Sequence, residues 1–390
     1  MSSLPQRQEV LAVPNSECFD FAIIGGGIAG ASLAYRLAGQ ASVVVLERES
    51  QPGYHATGRS AAMFMESYGT PQIQALTRAS RGFYEQPPAA FTEHALLEPR
   101  GCLYIAGQEQ QSLLQQAFAT SWAQAGNVSL IDTEQALALV PCLRPEAVAG
   151  AMLETDARDL DVHALHQGFL RAMRRAGGVL HCDAQLNVAT REGLQWHLIL
   201  ADGRQLRARH LVNAAGAWAD QVAQQCGVPP VGLQPCRRSA FTFDGPENTD
   251  FSRWPAVIGI DESFYFKPDA GQLLGSPANA DPVPPQDVMP EELDIATGIY
   301  HIEAATSLTI RRPRHSWAGL RSFVGDGDLV VGWDNHCEGF FWLAAQGGYG
   351  IQSAAGVSQL ACSQLLDLPL PETLRHQGVE PQRLAPGRLR

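Results

Sequence analysis

Apolar and polar runs near the start of the chain predict a strand, a tight turn, a helix and a second strand. Phe19 to Ile24 is a short, apolar, β-rich run, and the glycine-rich segment Gly25 to Gly30 follows it directly. The next segment, A-S-L-A-Y-R-L-A, has the composition of a helix, and Ser42 to Leu46 is again apolar and β-rich. This order is typical of a βαβ unit in a parallel sheet.

Further along the chain the pattern predicts a helix, a hairpin and a second sheet. A helical run begins after Asp161, a typical N-cap residue, and stops at Gly177-Gly178. Two strand-like runs flank Asp202-Gly203, a good hairpin turn. Residues 232–316 are richer in proline and aromatic residues, which favours an antiparallel sheet over the first domain. The proline- and arginine-rich segment after Leu368 is interpreted as a surface tail.

The glycine-rich turn has the G-x-G-x-x-G spacing of a dinucleotide-binding site. Gly25 permits the tight turn, Gly27 lets the backbone approach a pyrophosphate, and Gly30 lets helix and strand pack closely. Glu47 follows about twenty positions later, where an acid binds the ribose hydroxyls and repels the 2′-phosphate of NADP. No second fingerprint follows a strand, and Gly347 to Gly350 has a different shape. A single site fits one tightly held FAD that takes electrons from a substrate.

Composition and charge narrow the class of protein. With 390 residues, 45% of them hydrophobic, the chain is long enough for two domains. The net charge of -12, without a Lys/Arg cluster, makes nucleic acid and anionic membranes poor partners. No apolar run approaches the roughly 20 residues of a transmembrane helix. Residues 1–17 have no signal-peptide pattern and are interpreted as an N-terminal tail. Eight cysteines without a C-x-x-C predict neither a metal site nor disulfides, and favour the cytoplasm.

Several longer motifs resemble the FAD-dependent D-amino-acid oxidase superfamily, which includes glycine and sarcosine oxidases. They are I-I-G-G-G-I-A-G, V-V-L-E-R, T-G-R-S-A-A, V-N-A-A-G-A-W, A-G-L-R-S-F and A-A-Q-G-G-Y-G-I-Q. Within this superfamily the chain resembles the bacterial catabolic D-arginine dehydrogenases over nearly its whole length, with shared segments such as A-L-H-Q-G, D-E-S-F-Y and L-G-S-P-A-N-A-D-P.

This resemblance implies an α/β fold with a Rossmann-like FAD-binding domain and a discontinuous antiparallel-sheet substrate domain. The implied FAD-binding segments are 18–95, 152–230 and 317–390, and the substrate-binding segments are 96–151 and 231–316. The implied reaction is oxidative deamination of a D-amino acid. Hydride passes from the α-carbon to flavin N5, and the imino acid hydrolyses to a 2-oxo acid and ammonia.

The resemblance also assigns the residues that would contact the substrate. Arg238 in R-R-S-A-F and Arg321 in G-L-R-S-F match the carboxylate-binding positions. Tyr265 matches a tyrosine that adds a hydrogen bond at the carboxylate, and the carbonyl of Gly348 matches the acceptor of the substrate amine. Tyr68 matches the mobile tyrosine of an active-site lid.

For the cofactor, the resemblance implies non-covalent FAD, because the region after G-L-R reads Ser322-Phe323 where sarcosine oxidases have a flavin-linked cysteine. The adenosine and pyrophosphate half, the flavin ring and the flavin O2 edge are each assigned a segment. The cofactor residues expected from fingerprint and resemblance together are Gly25, Gly27, Ala29, Gly30, Glu47, Arg48, Thr57, Gly58, Arg59, Ser60, Ala61, Gln185, Gly216, Gly348, Tyr349, Gly350, Ile351 and Gln352.

Three departures from D-arginine dehydrogenases point to a less polar side-chain pocket. Cys102 stands where those enzymes have a guanidinium-binding glutamate, and Met63 and Met65 stand where they have His and Thr. A cationic side chain without a partner acid would cost several kcal/mol to bury. We therefore expect neutral, apolar D-amino acids as substrates, with Phe64 pointing away into the core.

Alternatives remain open at this point. Glu66 lies in the same segment and could replace the missing acid, which would make the protein a D-arginine or D-lysine dehydrogenase. An oxidase of secondary amines such as sarcosine or D-proline, a flavin-binding electron relay and a 2-hydroxy-acid dehydrogenase are the others. The resemblance favours a quinone or other carrier as electron acceptor over oxygen. A cytoplasmic location is expected, with peripheral association with the inner membrane left open.

Overall fold

The computed structural model describes residues 17–124 and 126–390. The predicted N-terminal tail, residues 1–17, lies outside the described residues except for Glu17. The strands of the described part are β1 (Cys18–Ile24), β2 (Val43–Leu46), β3 (Met63–Phe64), β4 (Leu97–Pro99), β5 (Cys102–Ala106), β6 (Val128–Ile131), β7 (Gly150–Glu154), β8 (Arg158–Leu160), β9 (Val179–His181), β10 (Leu186–Glu192), β11 (Gln195–Leu200), β12 (Gln205–Asn213), β13 (Gln234–Phe243), β14 (Ala256–Gly259), β15 (Tyr265–Asp269), β16 (Gln272–Ser276), β17 (Asp281–Pro282), β18 (His315–Phe323), β19 (Val330–Trp333) and β20 (Phe340–Ala344).

The helices of the described part are α1 (Ile28–Leu37), α2 (Pro71–Glu85), α3 (Gln111–Gln124), α4 (Thr133–Leu139), α5 (Val162–Arg175), α6 (Ala219–Gln225), α7 (Glu292–Ala305), α8 (Gly350–Leu365), α9 (Glu372–His376) and α10 (Pro381–Leu384). Sequence analysis predicted α1 and α5 from their periodicity and end signals. The Asp161 side chain accepts a hydrogen bond from the Ala164 N–H, as expected of an N-cap. Among these helices, none is long and apolar enough to cross a membrane.

The first sheet contains the predicted βαβ unit. Strands β9, β2, β1, β12 and β20 lie side by side and run parallel. The first half of β12 pairs instead with the hairpin strand β11, and β19 closes the other edge antiparallel to β20. Helices α1, α2, α5 and α8 pack on one face. This is the predicted Rossmann-like fold, in which ligands bind at the carboxyl ends of the parallel strands.

The second sheet has nine strands in the order β17-β13-β16-β15-β14-β5-β7-β6, with β18 on the other side of β13. Every pair is antiparallel except β14 with β5. It places Arg238 on β13, Tyr265 on β15 and Arg321 on β18, so residues far apart in sequence share one sheet. Because β7 and β18 belong to it, this sheet extends past the predicted boundaries at 151/152 and 316/317.

A third, small sheet joins the two larger parts. β3 and β4 both pair antiparallel with β8, and Met63 lies opposite Asp159. Two-residue pairing is enough to give β3 the alternation of a strand. Phe64 is fully buried, with its ring edge-on to Tyr84 at 5.8 Å, whereas Met63 points the other way.

The C-terminal segment is not the surface tail that its composition suggested. It forms α9 and α10, in which Leu374 and Leu384 are fully buried, and Val379 between them is 4% exposed. The Arg390 guanidinium ends the chain in an ion pair with Asp334 at 2.7 Å. Proline and arginine dominate the composition here, but three well-spaced apolar residues are enough to dock the segment on the core.

Candidate active site

Three adjoining cavities run from the carboxyl edge of the first sheet to the second sheet. Their volumes are about 930, 660 and 760 Å³. The first and middle cavities share Ala56, Thr57 and Leu320 in their linings. The middle and third cavities share the two candidate arginines, Arg238 and Arg321. They therefore form one channel long enough for an extended dinucleotide and a small substrate at its far end.

The glycine-rich turn closes one side of the first cavity. Gly25 has a φ of +106°, which favours glycine. A Cβ atom on Gly30 would lie 2.0 Å from the Gly25 carbonyl oxygen, so any side chain would push α1 away from the turn. The N-terminus of α1 thus stays close to the cavity, where a pyrophosphate would meet its free N–H groups.

Glu47, Arg48 and Trp218 line the opposite part of the first cavity. The Glu47 carboxylate accepts hydrogen bonds from the N–H groups of Gly26 at 2.8 Å and Glu49 at 2.9 Å, which fix its orientation. The Arg48 guanidinium lies 4.9 Å from the centre of the Trp218 indole ring. These groups offer a ribose-binding acid and a flat aromatic surface, which fit the adenosine half of FAD.

His166 supports the turn from behind, and sequence analysis did not single it out. It is 4% exposed, and its Nε2 lies 2.8 Å from the Gly26 carbonyl oxygen. Burial lowers the pKa of His166, so the ring is neutral and donates the Nε2 proton to the carbonyl. A signal was available, because His166 occupies a core-facing position of α5 between Leu165 and Phe169.

The middle cavity contains an unsatisfied donor that fits the flavin half of FAD. Gln346 lines it, and its buried Nε2 has no hydrogen-bond partner among the described residues. A buried amide without a partner is costly, and acceptors on a flavin ring would satisfy it. Nearby, the Thr57 hydroxyl accepts from the Ile28 N–H at 3.0 Å, and Ser60 lines the same cavity.

The candidate flavin residue Arg59 lines the middle cavity, but its guanidinium is engaged elsewhere. It donates to the carbonyl oxygens of Val288 at 3.0 Å and Ala318 at 3.1 Å, and it pairs with Asp287. Trp317 in turn donates to the Arg59 carbonyl oxygen at 3.0 Å. Arg59 therefore ties the flavin-side loop to the second sheet.

Arg238 and Arg321 line the third cavity together. Arg238 Nε donates to the Asn279 carbonyl oxygen at 2.5 Å, and Arg321 Nη1 donates to the Tyr68 hydroxyl at 3.1 Å. Among the described residues, neither guanidinium forms an ion pair, whereas the adjacent Arg237 pairs with Asp294 at 2.8 Å. Burial, followed by the like charge of Arg321, lowers the pKa of Arg238 to about 10. Two unpaired cations in one cavity form an anion-binding site.

Tyrosines surround this pair. Tyr68 and Tyr265 line the third cavity, and so does Gly348, whose Cα is close enough to Arg321 that a Cβ atom would lie 2.7 Å from Nη1. Tyr349 lies behind them, with its ring centre 5.0 Å from that of Tyr68. The guanidinium groups, hydroxyls and one backbone carbonyl thus face the same space.

Apolar side chains form the remaining wall of the third cavity. Met63, Met65, Tyr104, Ala256 and Ile258 line it. Met65 is 7% exposed and lies 3.9 Å from the Tyr104 hydroxyl. The alternation of β3 continued into the following turn places both methionines on the cavity side.

Two predicted pocket residues do not line the cavity. Glu66 points away to α2, where it forms an ion pair with Arg81 at 2.7 Å. Cys102 is fully buried and lies opposite Glu154 in the β5–β7 register. Sequence position alone could not reveal these partners, which lie on other elements. Introducing Glu at position 102 would bring two buried carboxylates together, so that change is not a clean test of the pocket.

The structure adds two charged groups that sequence analysis missed. Lys267 lines the third cavity, but its ammonium pairs with Asp159 at 2.8 Å. Glu262 lines the same cavity from an exposed turn between β14 and β15, with a left-handed φ of 55°. Glu262 is the lining carboxylate, in the place that Glu66 was expected to take.

The other predicted cofactor residues divide into those that line the cavities and those that shape them. Lining residues are Gly25, Gly27, Glu47, Arg48, Thr57, Gln185, Gly216, Arg59, Ser60, Ala61, Gly348, Gly350, Ile351 and Gln352. Ala29, Gly30, Gly58 and Tyr349 are outside the linings. Among the described residues, no group of three or more His, Cys, Asp or Glu side chains could hold a metal ion.

Comparison with known proteins agrees with this geometry. FAD-dependent oxidoreductase domain-containing protein 1 of Bos taurus is 24% identical over 406 residues, which cover 89% of this chain and 81% of that protein. Glycine oxidase of Geobacillus kaustophilus is 23% identical over 351 residues, covering 85% and 89%. The crystal structure of L-proline dehydrogenase from P. horikoshii has the same fold, with a TM-score of 0.81 at 18% identity, covering 96% and 98%. Residues 20–364 match the family described as FAD dependent oxidoreductase, so the chain belongs to this family of FAD-binding flavoproteins.

Proposed function

We propose that this protein oxidises the amine of D-amino acids with neutral, apolar side chains, using FAD. The bound FAD would accept a hydride from the substrate α-carbon, after which the imino acid hydrolyses to a 2-oxo acid and ammonia. The observation on which the proposal rests is the pair Arg238 and Arg321, which face one cavity without forming an ion pair among the described residues. The similarity to glycine oxidase supports an amine substrate.

The arginine pair would bind the substrate carboxylate. A carboxylate between the two guanidinium groups would relieve their mutual repulsion and accept up to two hydrogen bonds from each planar fork. The Tyr68 hydroxyl, already held by Arg321 at 3.1 Å, and the Tyr265 hydroxyl would complete the binding site. This grip orients the α-carbon, and orientation is the main requirement of the reaction.

The Gly348 carbonyl would accept a hydrogen bond from the substrate amine. Gly348 lines both the middle and the third cavity, so it stands where the cofactor and the substrate would meet. If the amine binds in its neutral form, no general base is required. The preference for the D enantiomer rests on the family resemblance, since it depends on which side of the carboxylate the amine occupies.

The apolar wall supports a neutral side chain. Met63, Met65 and Ile258 would bury a leucine- or phenylalanine-sized group, which gains roughly 1.5 to 3 kcal/mol. The charge of Lys267 is already neutralised by Asp159, so it does not call for an acidic substrate.

Glu262 supports a second candidate, a D-arginine or D-lysine dehydrogenase as the longer motifs suggested. Its exposed carboxylate at the rim of the cavity could pair with the far end of a long cationic side chain. Such a pair at an exposed rim contributes only about 0 to 1 kcal/mol, less than the apolar wall offers. We therefore rank this candidate second.

The test is anaerobic reduction of the bound flavin by separate panels of D- and L-amino acids, with sarcosine, D-proline and D-lactate alongside. Under the proposal D-leucine, D-methionine and D-phenylalanine give the highest kcat/KM. Faster reduction by D-arginine or D-lysine, lost selectively in Glu262→Gln, would establish the second candidate instead. Readmitting air, or adding a quinone analogue, then separates oxidase from dehydrogenase activity. Non-covalent binding is checked by release of FAD on denaturation.

A further inference from the structure

Glu154 is a buried carboxylate beneath the turn that bears Tyr68. It lies at the end of β7 and is 0% exposed. Its Oε1 accepts hydrogen bonds from the N–H groups of Glu66 at 2.9 Å and Ser67 at 3.4 Å, and its Oε2 accepts from the Ser67 hydroxyl. Among the described residues Glu154 forms no ion pair, so donors from this one turn satisfy its charge.

Other contacts secure the rest of the turn. Gln74 Nε2 donates to the carbonyl oxygens of Ser67 and Gly69, both at 2.9 Å, and Gln352 Nε2 donates to that of Tyr68 at 3.4 Å. These bonds come from neutral amides, which do not change with pH. The bonds to Glu154 can change, because they depend on its ionisation.

The surroundings of Glu154 disfavour its charged form. It faces Cys102 and Tyr104 on β5, and the Glu66 carboxylate on the turn itself. Burial, which the hydrogen bonds from Ser67 and Glu66 only partly offset, raises the pKa of Glu154 above the usual value. The carboxylate is therefore lost at a higher pH than in an exposed glutamate.

We propose that Glu154 is a positioning residue, which in its ionised form holds the Ser67–Tyr68 turn so that the Tyr68 hydroxyl stays at Arg321. Protonation removes the charge that binds three donors, and the turn then opens more readily. The substrate-binding part of this proposal rests on the proposed function, since Tyr68 is placed at the carboxylate. The structural part, the hold on the turn, does not.

Three variants test the hold in the FAD-loaded protein. Glu154→Gln keeps the shape but cannot accept from all three donors, and Ser67→Ala removes only the hydroxyl. Glu134→Gln changes an exposed acid and serves as the control. Hydrogen exchange of residues 63–70, corrected for intrinsic rates, should be about tenfold faster in Glu154→Gln. It should be less affected in Ser67→Ala and unchanged in the control.

The pH profile of substrate binding is the second readout. In the unaltered protein the substrate Kd, taken from anaerobic flavin reduction, should rise on the acid side. Ser67→Ala should move this limb to higher pH, because the hydroxyl bond stabilises the ionised form. Glu154→Gln should remove the limb and leave binding weak at every pH. A variant that only lost stability would keep the limb.

The outcomes separate the two proposals. If no amino acid reduces the flavin, the proposed function fails, while hydrogen exchange still decides whether Glu154 holds the turn. Unchanged exchange in both Glu154→Gln and Ser67→Ala, or an acid limb that persists in Glu154→Gln, would overturn the role of Glu154. If Glu154→Gln does not fold, the shift of the limb in Ser67→Ala decides.

Discussion

Neighbouring arginines in this protein differ in what surrounds them. Arg237 and Arg238 alternate on β13, so Arg237 meets Asp294, whereas Arg238 meets Arg321 across the third cavity. A buried arginine with a carboxylate partner is structural, and one without such a partner is available to a ligand. This contrast makes Arg238 and Arg321 the residues on which substrate binding should depend most.

Replacing Arg321 by Met should therefore lower kcat/KM by about 100-fold or more, mainly through KM. Arg321→Lys should recover only part of this loss, because an ammonium lacks the planar fork. The exposed Arg314, which pairs with Asp244 at the surface, offers a matched control in Arg314→Met. Steady-state kinetics at equal FAD content measure the effect. A uniform loss for substrates with and without a carboxylate would contradict the assigned role.

Gln346→Leu should have opposite effects on the empty and the FAD-loaded protein. Removing the unpartnered Nε2 from the middle cavity should stabilise the apoprotein by about 1 kcal/mol, since a buried donor is no longer left unsatisfied. The same change should weaken FAD binding about five- to tenfold, because one hydrogen bond is lost. Thermal unfolding of the apoprotein and FAD titration measure the two effects. Tighter FAD binding in the variant would show that Gln346 does not face the flavin.

Residue roles that depend on distant partners were the ones that sequence analysis missed. Met63 and Met65 could be placed on one face from local alternation. Glu66 and Cys102 were misplaced, because their surroundings come from α2 and β7, and no local pattern encodes which element packs there. Glu262 was overlooked because an exposed turn residue has no periodic signal.

At the scale of elements, α1 depends on two contacts between glycine and backbone, while α2 has a glycine with no such role. A Cβ atom at Gly30 would meet the Gly25 carbonyl oxygen at 2.0 Å, whereas one at Gly82 would meet nothing within 4 Å. Gly30→Ala should therefore destabilise the protein by several kcal/mol and abolish FAD binding. Gly82→Ala should stabilise it by about 0.5 to 1 kcal/mol, as expected in an exposed helix. Denaturant unfolding and flavin absorbance compare the pair; equal effects would refute the close-packing argument.

Elements with strong end signals were predicted well, and those formed by long-range pairing were not. The strand-turn-helix at β1 and α1, and the capped helix α5, follow from spacing within about fifteen residues. The small sheet of β3, β8 and β4 joins segments almost a hundred residues apart in sequence, and its strands have only two or three residues each. The C-terminal helices α9 and α10 were missed because their few buried leucines are set among proline and arginine.

For the whole molecule, the three cavities join the first sheet to the second, so bound FAD should contribute to the stability of both. Arg59 and the shared lining residues already connect the two sides. A ligand that binds only the folded state stabilises it by about 2.7 kcal/mol at a hundred times its Kd. Removing FAD should therefore lower the Tm, and adding it back should restore one cooperative transition.

FMN tests whether the adenosine half of the channel contributes. FMN lacks the group that Glu47, Arg48 and Trp218 would bind, so it should raise the Tm less than FAD at the same concentration. The Glu47→Gln variant should narrow the difference between the two flavins, because its loss falls on the ribose contacts that FMN never makes. Thermal unfolding of the apoprotein with each flavin, in the parent and the variant, measures the four values. Equal stabilisation by FMN and FAD would mean that the first cavity does not hold the adenosine, and the assignment of that cavity would have to be withdrawn.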